Sequence, residues 1–186
     1  IKSQFWKGEC KRYLGKNNEA NAIYKEFLEK YPNDPLVQEV QYQLGVVYFN
    51  TNNTDLATRY LISANSSEDS VIRGKSFAML GEIELNRGNF KAAKNYFEMV
   101  LANKGAEKSV HSRALLGLGI SLYHLNDNKT ALKYLNELEN SDPGFETQKL
   151  NFFLAENYFA SNDYKAALNN YNNSTGTDQE INSQAL

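Results

Sequence analysis

The chain has 186 residues, 41% of them apolar and 23% charged, with a net charge of −2 and a pI near 5.8, the make-up of an ordinary folded protein. So little net charge provides no basic stripe for a phosphate backbone, so nucleic acid is not an expected partner. No apolar run approaches the roughly eighteen residues of a membrane span, and the single cysteine, Cys10, excludes an internal disulfide.

In chain order, a pair of small residues recurs five times: Gly8/Ala20, Gly45/Ala57, Gly81/Ala93, Gly119/Ala131 and Ala155/Ala167. The copies are 37, 36, 38 and 36 residues apart, yet the gap within each pair is always twelve. Periods of this size mark a solenoid, whose units bury their apolar faces only against their neighbours.

Repeat one carries Gly8, a turn at Gly15-Lys16-Asn17-Asn18, then Ala20, Tyr24, Phe27 and Pro32. Repeat two shows the plan most fully. Leu44-Gly45-x-x-Tyr48 precedes the polar run Asn50–Asp55, and Ala57, Leu61 and Ala64 follow at i, i+4 and i+7, one face of a helix. Asn52, Thr54 or Asp55 is the expected N-cap of its second helix. Repeats three, four and five turn at Arg87-Gly88-Asn89, Asn126-Asp127-Asn128 and Ser161-Asn162-Asp163. Each unit reads as two short helices joined by a tight turn.

Gly inside a helix costs about 1 kcal/mol relative to Ala. Four of five copies keep it, so close helix packing is the expected reason. The constant gap places the variation in repeat length between hairpins, in Tyr31–Leu36, Asn65–Val71, Asn103–Ser109 and Asn140–Phe145. Those stretches contain all three prolines.

These residues resemble the tetratricopeptide repeat: apolar-Gly, an aromatic three on, Ala nine later, then an aromatic, a small residue and Pro. Lys7 and Lys11 in repeat one and Glu84 in repeat three depart from that pattern. The resemblance implies an all-α, right-handed superhelical solenoid of about five helix-turn-helix repeats plus the start of a sixth. It makes 1–186 one domain, with repeats at about 1–35, 36–70, 71–107, 108–143 and 144–176 and a partial next helix at 177–186. That unfinished helix leads us to expect that the natural chain continues beyond Leu186. The usual repeat is shorter. In their longer linkers these copies are similar to bacterial cell-envelope proteins of the outer-membrane assembly and Tol-Pal accessory type, which favours a periplasmic home over a cytoplasmic one.

Catalysis has little support. His111 and His124 are thirteen apart, without the pattern of a metal pair or of a nucleophile with its base. Cys10 reads as a structural thiol, and no phosphate loop follows a strand. No enzyme activity and no cofactor are expected. Five Asn-x-Ser/Thr sequons, at Asn52, Asn65, Asn128, Asn172 and Asn173, read as chance in an Asn-rich and Ser-rich chain rather than as glycosylation sites.

The resemblance also implies that first helices line a concave groove. Carried onto this chain, the groove positions include Phe5, Tyr13, Tyr42, Phe49, Leu85, Leu116, Tyr123, Phe152 and Phe159. Aromatic side chains of this kind supply much of the energy at protein interfaces, although tight coiling can bury the same residues. A basic row at Lys2, Lys75, Arg113 and Lys149, with Glu9, Glu82 and Glu156 deeper in, reads either as ligand orientation or as solubilising charge. Phe5 and Glu9 stand where related repeats clamp a peptide carboxylate with Lys and Asn, so that mode is absent.

The expected function is a non-enzymatic protein–protein interaction scaffold or adaptor that takes a peptide or partner protein in this aromatic groove. The alternatives are a regulatory segment of a larger protein, possibly an enzyme, and a module that self-associates through its open C-terminal face.

Overall fold

The computed structural model describes residues 1–174. The expected partial helix at 177–186 lies outside the described residues. Among these, ten α-helices form five antiparallel pairs: α1 Lys2–Tyr13 with α2 Asn17–Lys30, α3 Val37–Asn50 with α4 Thr54–Ala64, and α5 Ser70–Asn86 with α6 Phe90–Ala102. Two further pairs follow, α7 Lys108–His124 with α8 Asn128–Ser141 and α9 Thr147–Ala160 with α10 Tyr164–Ser174. No strand occurs among the described residues. The stack is an α-solenoid in which the two helices of each hairpin pack together and each hairpin packs on the next.

The turn inside every hairpin is three residues long. Its middle residue is Gly15, Asn52, Gly88, Asn126 or Asn162, each at a φ between 59° and 75°. Gly and Asn are the residue types that enter this left-handed region at low cost. The backbone then closes in the same way each time, with Asn53 N–H donating to Tyr48 C=O at 2.8 Å and Asp127 N–H to Leu122 C=O at 2.9 Å. This satisfies carbonyls that the helix end leaves open.

The N-cap expected at Asn52, Thr54 or Asp55 is instead Asn53, whose side chain accepts from Leu56 N–H at 3.4 Å. Asn52 is taken up by the left-handed turn, which moves the cap one residue on. Asp127 and Asp163 do the same work in later repeats, accepting from Thr130 and Ala166.

The constant gap of twelve has a direct physical cause. A Cβ added at Gly8 would lie 2.5 Å from the Tyr24 ring, at Gly45 2.6 Å from Leu61, at Gly81 2.7 Å from Phe97, and at Gly119 2.3 Å from Leu135. The filler is always sixteen residues after the glycine, one turn beyond the conserved alanine. Tyr24, Leu61, Phe97 and Leu135 are fully buried as a result. Phe97 serves two helices, because a Cβ at Gly117 on α7 would also meet it, at 2.3 Å. That contact locks hairpin three to hairpin four.

Repeat length varies in the helices rather than in the linkers, contrary to the sequence-based expectation. The linkers span 31–36, 65–69, 103–107 and 142–146, five or six residues each. α5 and α7 have 17 residues, whereas α3 and α9 have 14 and α4 has 11. Extra residues extend helix ends, where each adds a backbone hydrogen bond.

Candidate interaction surface

Successive first helices touch one another, α3 with α5, α5 with α7 and α7 with α9, and no pair of second helices packs as closely. The stack is therefore tighter on the first-helix side and curves around it. This double packing also decides which side chains of the first helices remain accessible.

Of the nine expected groove residues, Phe5, Leu116 and Phe152 are buried. They stand at the same repeat position, three residues before the small residue, in repeats one, four and five. Tyr42, at that position in repeat two, is half-buried, as are Phe49, Leu85 and Tyr123. Tyr13 and Phe159 are 78% and 56% exposed and stand on the first and last hairpins. Of the nine, Tyr42, Phe49, Leu85 and Tyr123 thus keep partly accessible apolar surface on α3, α5 and α7.

Three carboxylates stand on first helices, each directly after the small residue of an odd-numbered repeat. Glu9 is 6% exposed and accepts from Arg12 Nη2 at 2.8 Å and from the Tyr24 hydroxyl. Glu156 accepts from the Tyr123 hydroxyl at 2.6 Å and from the Tyr171 hydroxyl. Glu82 pairs with Arg113 Nε at 3.2 Å, and burial holds its carboxyl above the usual carboxylate range. Burial, with the adjacent carboxylate adding to it, pushes the Tyr123 phenol up to about 12 and the Tyr171 phenol higher still. Burial also raises the Tyr42 phenol.

The basic row is largely engaged. Lys75 reaches Glu107 at 2.9 Å, Arg113 holds Glu82, and Lys149 lies 3.7 Å from Glu146. His124 stacks on Phe90 of the preceding hairpin, ring centroids 4.1 Å apart, and burial lowers its pKa. Among the described residues no group of three or more His, Cys, Asp and Glu side chains is placed to hold a metal ion, and no helix is long and apolar enough to cross a membrane.

Sequence reasoning missed one regularity. Where the residue after the small one is Glu, the residue sixteen after the small one is aromatic: Glu9 with Tyr24, Glu82 with Phe97, Glu156 with Tyr171. Where it is Val46 or Ile120, that later residue is Leu61 or Leu135. The signal was available as a two-repeat alternation. It becomes visible only when positions are aligned across both helices of the hairpin.

A tetratricopeptide-repeat family model matches residues 78–144, and a second tetratricopeptide-repeat model matches residues 2–34; together they span more than half of the chain. No curated protein matches. The chain is similar to a crystal structure of MamA, at 18% identity and a TM-score of 0.74, over 96% of this chain and 95% of that one. A MamA RS-1 double mutant is also similar, at 18% identity and 0.78, over 99% and 95%. MamA 41-end from Desulfovibrio magneticus RS-1 aligns at 20% identity and 0.76, over 98% and 95%. At such identities the likeness shows a shared fold.

Proposed function

The chain belongs to the tetratricopeptide-repeat family, and from that premise we propose that it works as a non-enzymatic protein–protein interaction scaffold whose first-helix face takes a peptide. One observation carries this reading. Tyr42, Phe49, Leu85 and Tyr123 present partly exposed apolar surface on three successive first helices, an arrangement suited to an extended or helical segment.

Peptides selected against the chain from a random library test it. Phe49→Ser with Leu85→Ser should weaken the selected peptides by tenfold or more, while Ile62→Ser, half-exposed on the second helix α4, should leave them unchanged. Equal binding to both variants would refute the groove. Self-association through the last hairpin is the second reading, supported by Phe159, Tyr164 and Leu168, which are 56–63% exposed. Light scattering that shows one mass at every concentration removes it. An envelope location rests on the linker resemblance alone.

A further inference from the structure

Hairpin three carries an apolar patch at positions that the other repeats keep polar or bury. Eighteen residues after its small residue stands Met99, where the other repeats have Glu26, Ser63, Glu137 and Asn173. Three residues further on is Ala102, against Glu29, Ser66 and Asn140 in repeats one, two and four. Four residues before the small residue, Phe77 replaces Gln4, Gln41 and Asn151, while Leu115 at that position is fully buried. Met99 is 46% exposed, Ala102 is exposed, and Phe77 is half-buried. Hairpins two and four flank this one on both sides, so the patch belongs to a middle repeat and not to an end of the stack.

Phe77, Met99 and Ala102 line an open cleft of about 410 Å³ together with Arg73, Asn103 and Lys104. Its walls are fixed from the backbone outward. Asn103 Nδ2 donates to Ser70 C=O at 2.6 Å, and Asn103 Oδ1 accepts from Gly105 N–H at 3.2 Å. A Cβ at Gly105 would lie 1.9 Å from Ser70 Oγ, and one at Gly74 2.9 Å from Asn103 Nδ2. The linker is thus pinned to the start of α5, and a ligand meets a surface already formed.

The cleft also carries charge. Arg73 Nη1 donates to Ser67 C=O at 2.7 Å, and among the described residues neither Arg73 nor Lys104 forms an ion pair with a carboxylate. Asp69 caps α5, and Glu107 holds Lys75. Two cations beside an apolar wall complement a ligand with carboxylates next to an apolar group. An open cleft of this size takes one side chain and leaves the rest of the ligand on the rim, which fits a peptide better than a free small molecule.

We propose that the cleft docks a short acidic segment of a partner protein, with one apolar side chain against Phe77, Met99 and Ala102 and an adjacent Asp or Glu on Arg73 and Lys104. The thioether of Met99 adapts to side chains of different shape. None of these residues belongs to the first-helix groove, so the two sites are separable.

Fluorescein-labelled peptides Glu-Glu-Phe-Glu-Glu, Glu-Glu-Leu-Glu-Glu and Glu-Glu-Met-Glu-Glu, each with a counterpart in which Gln replaces every Glu, are titrated with the whole chain and read by anisotropy. At least one acidic peptide should bind saturably, about tenfold or more tighter than its Gln counterpart, and added salt should weaken it. Met99→Ser, which copies Ser63 of repeat two, and Lys104→Glu should each weaken binding about tenfold or more with an unchanged circular dichroism spectrum. Lys129→Glu makes the same change of net charge on α8 and should leave binding intact. Phe49→Ser with Leu85→Ser should also leave it intact, which separates this result from failure of the groove. The proposal is overturned if no acidic peptide binds, if the Gln peptides bind equally, or if Met99→Ser or Lys104→Glu binds like the wild type. Equal loss in Lys129→Glu or in the groove variant would place the peptide elsewhere and overturn it as well.

Discussion

The Tyr24 hydroxyl donates to the carboxylate of Glu9, which lies fifteen residues earlier on the facing helix of the same hairpin. Tyr24 also fills the gap left by Gly8, so one side chain packs the helix pair and satisfies a buried charge. Tyr171 repeats the arrangement with Glu156. Phe97 fills the same place in repeat three without a hydroxyl, and there Glu82 turns to Arg113 of the next hairpin. The odd repeats thus place a carboxylate on the first-helix face, and each has its own means of satisfying it.

Tyr24→Phe should destabilise the chain by about 1–3 kcal/mol, because Glu9 stays buried with Arg12 as its only partner. Glu9→Val with Tyr24→Leu copies the pair found in repeat two, Val46 with Leu61. That double variant should lose less than the two single variants added, with a coupling of about 0.5–3 kcal/mol. Urea unfolding of the four proteins measures it. Strict additivity would show that the pair does not act as a unit.

Glu82 gives a pH-dependent case. Burial raises its folded pKa above the unfolded value, with Arg113 opposing in part. A raised folded pKa means that the native state holds the proton more tightly. The contribution is fully present below the unfolded carboxylate pKa and is lost as pH rises through the folded one. The stability of the wild-type chain minus that of Glu82→Gln should therefore fall as pH rises above the unfolded carboxylate pKa of about 4. Arg113→Met should deepen the fall by removing the one cation bound to this carboxylate. Equal slopes for wild type and Glu82→Gln would refute it.

The fold was legible because Gly in a helix interior carries a cost that only close packing offsets, and the cost recurs at one interval. The turns were legible for the same reason, as Gly15, Asn52, Gly88, Asn126 and Asn162 supply the left-handed residue. Accessibility of the groove positions was not. Residues 114–122 of α7 are buried without exception, because that helix packs on α5, α6, α8 and α9. A helix buried on all sides shows no amphipathic stripe, so its sequence does not separate Leu116, which is covered, from Tyr123, which is partly open. The loops misled in another way, since Pro and Gly in the linkers suggested elastic length while the linkers are nearly constant.

Gly119→Ala tests the packing rule directly. The added Cβ would lie 2.3 Å from Leu135 Cδ2 and 2.5 Å from its Cγ. Since Cγ is the branch point, a rotamer change at the tip does not relieve the overlap. The expected loss is about 1–3 kcal/mol, despite the roughly 1 kcal/mol that Ala gains in helix propensity. Adding Leu135→Ala, which alone costs about 2–5 kcal/mol, should make the Gly119→Ala penalty vanish or reverse. Chemical denaturation of the single and double variants decides the point.

Tyr123 provides the alkaline counterpart. Burial, the Glu156 hydrogen bond and the negative charge of that carboxylate push its phenol up to about 12, against about 10 in an unfolded chain. Its contribution to stability is fully present below pH 10 and is lost as pH rises towards 12, because the unfolded state releases its proton first. The 295 nm absorbance of Tyr123→Phe, subtracted from that of the wild type, should therefore isolate a phenolate that titrates near pH 12. The variant should also lose less stability than the wild type between pH 10 and pH 12. A difference curve centred near pH 10 would mean that the Tyr123–Glu156 bond linking hairpins four and five does not form in solution.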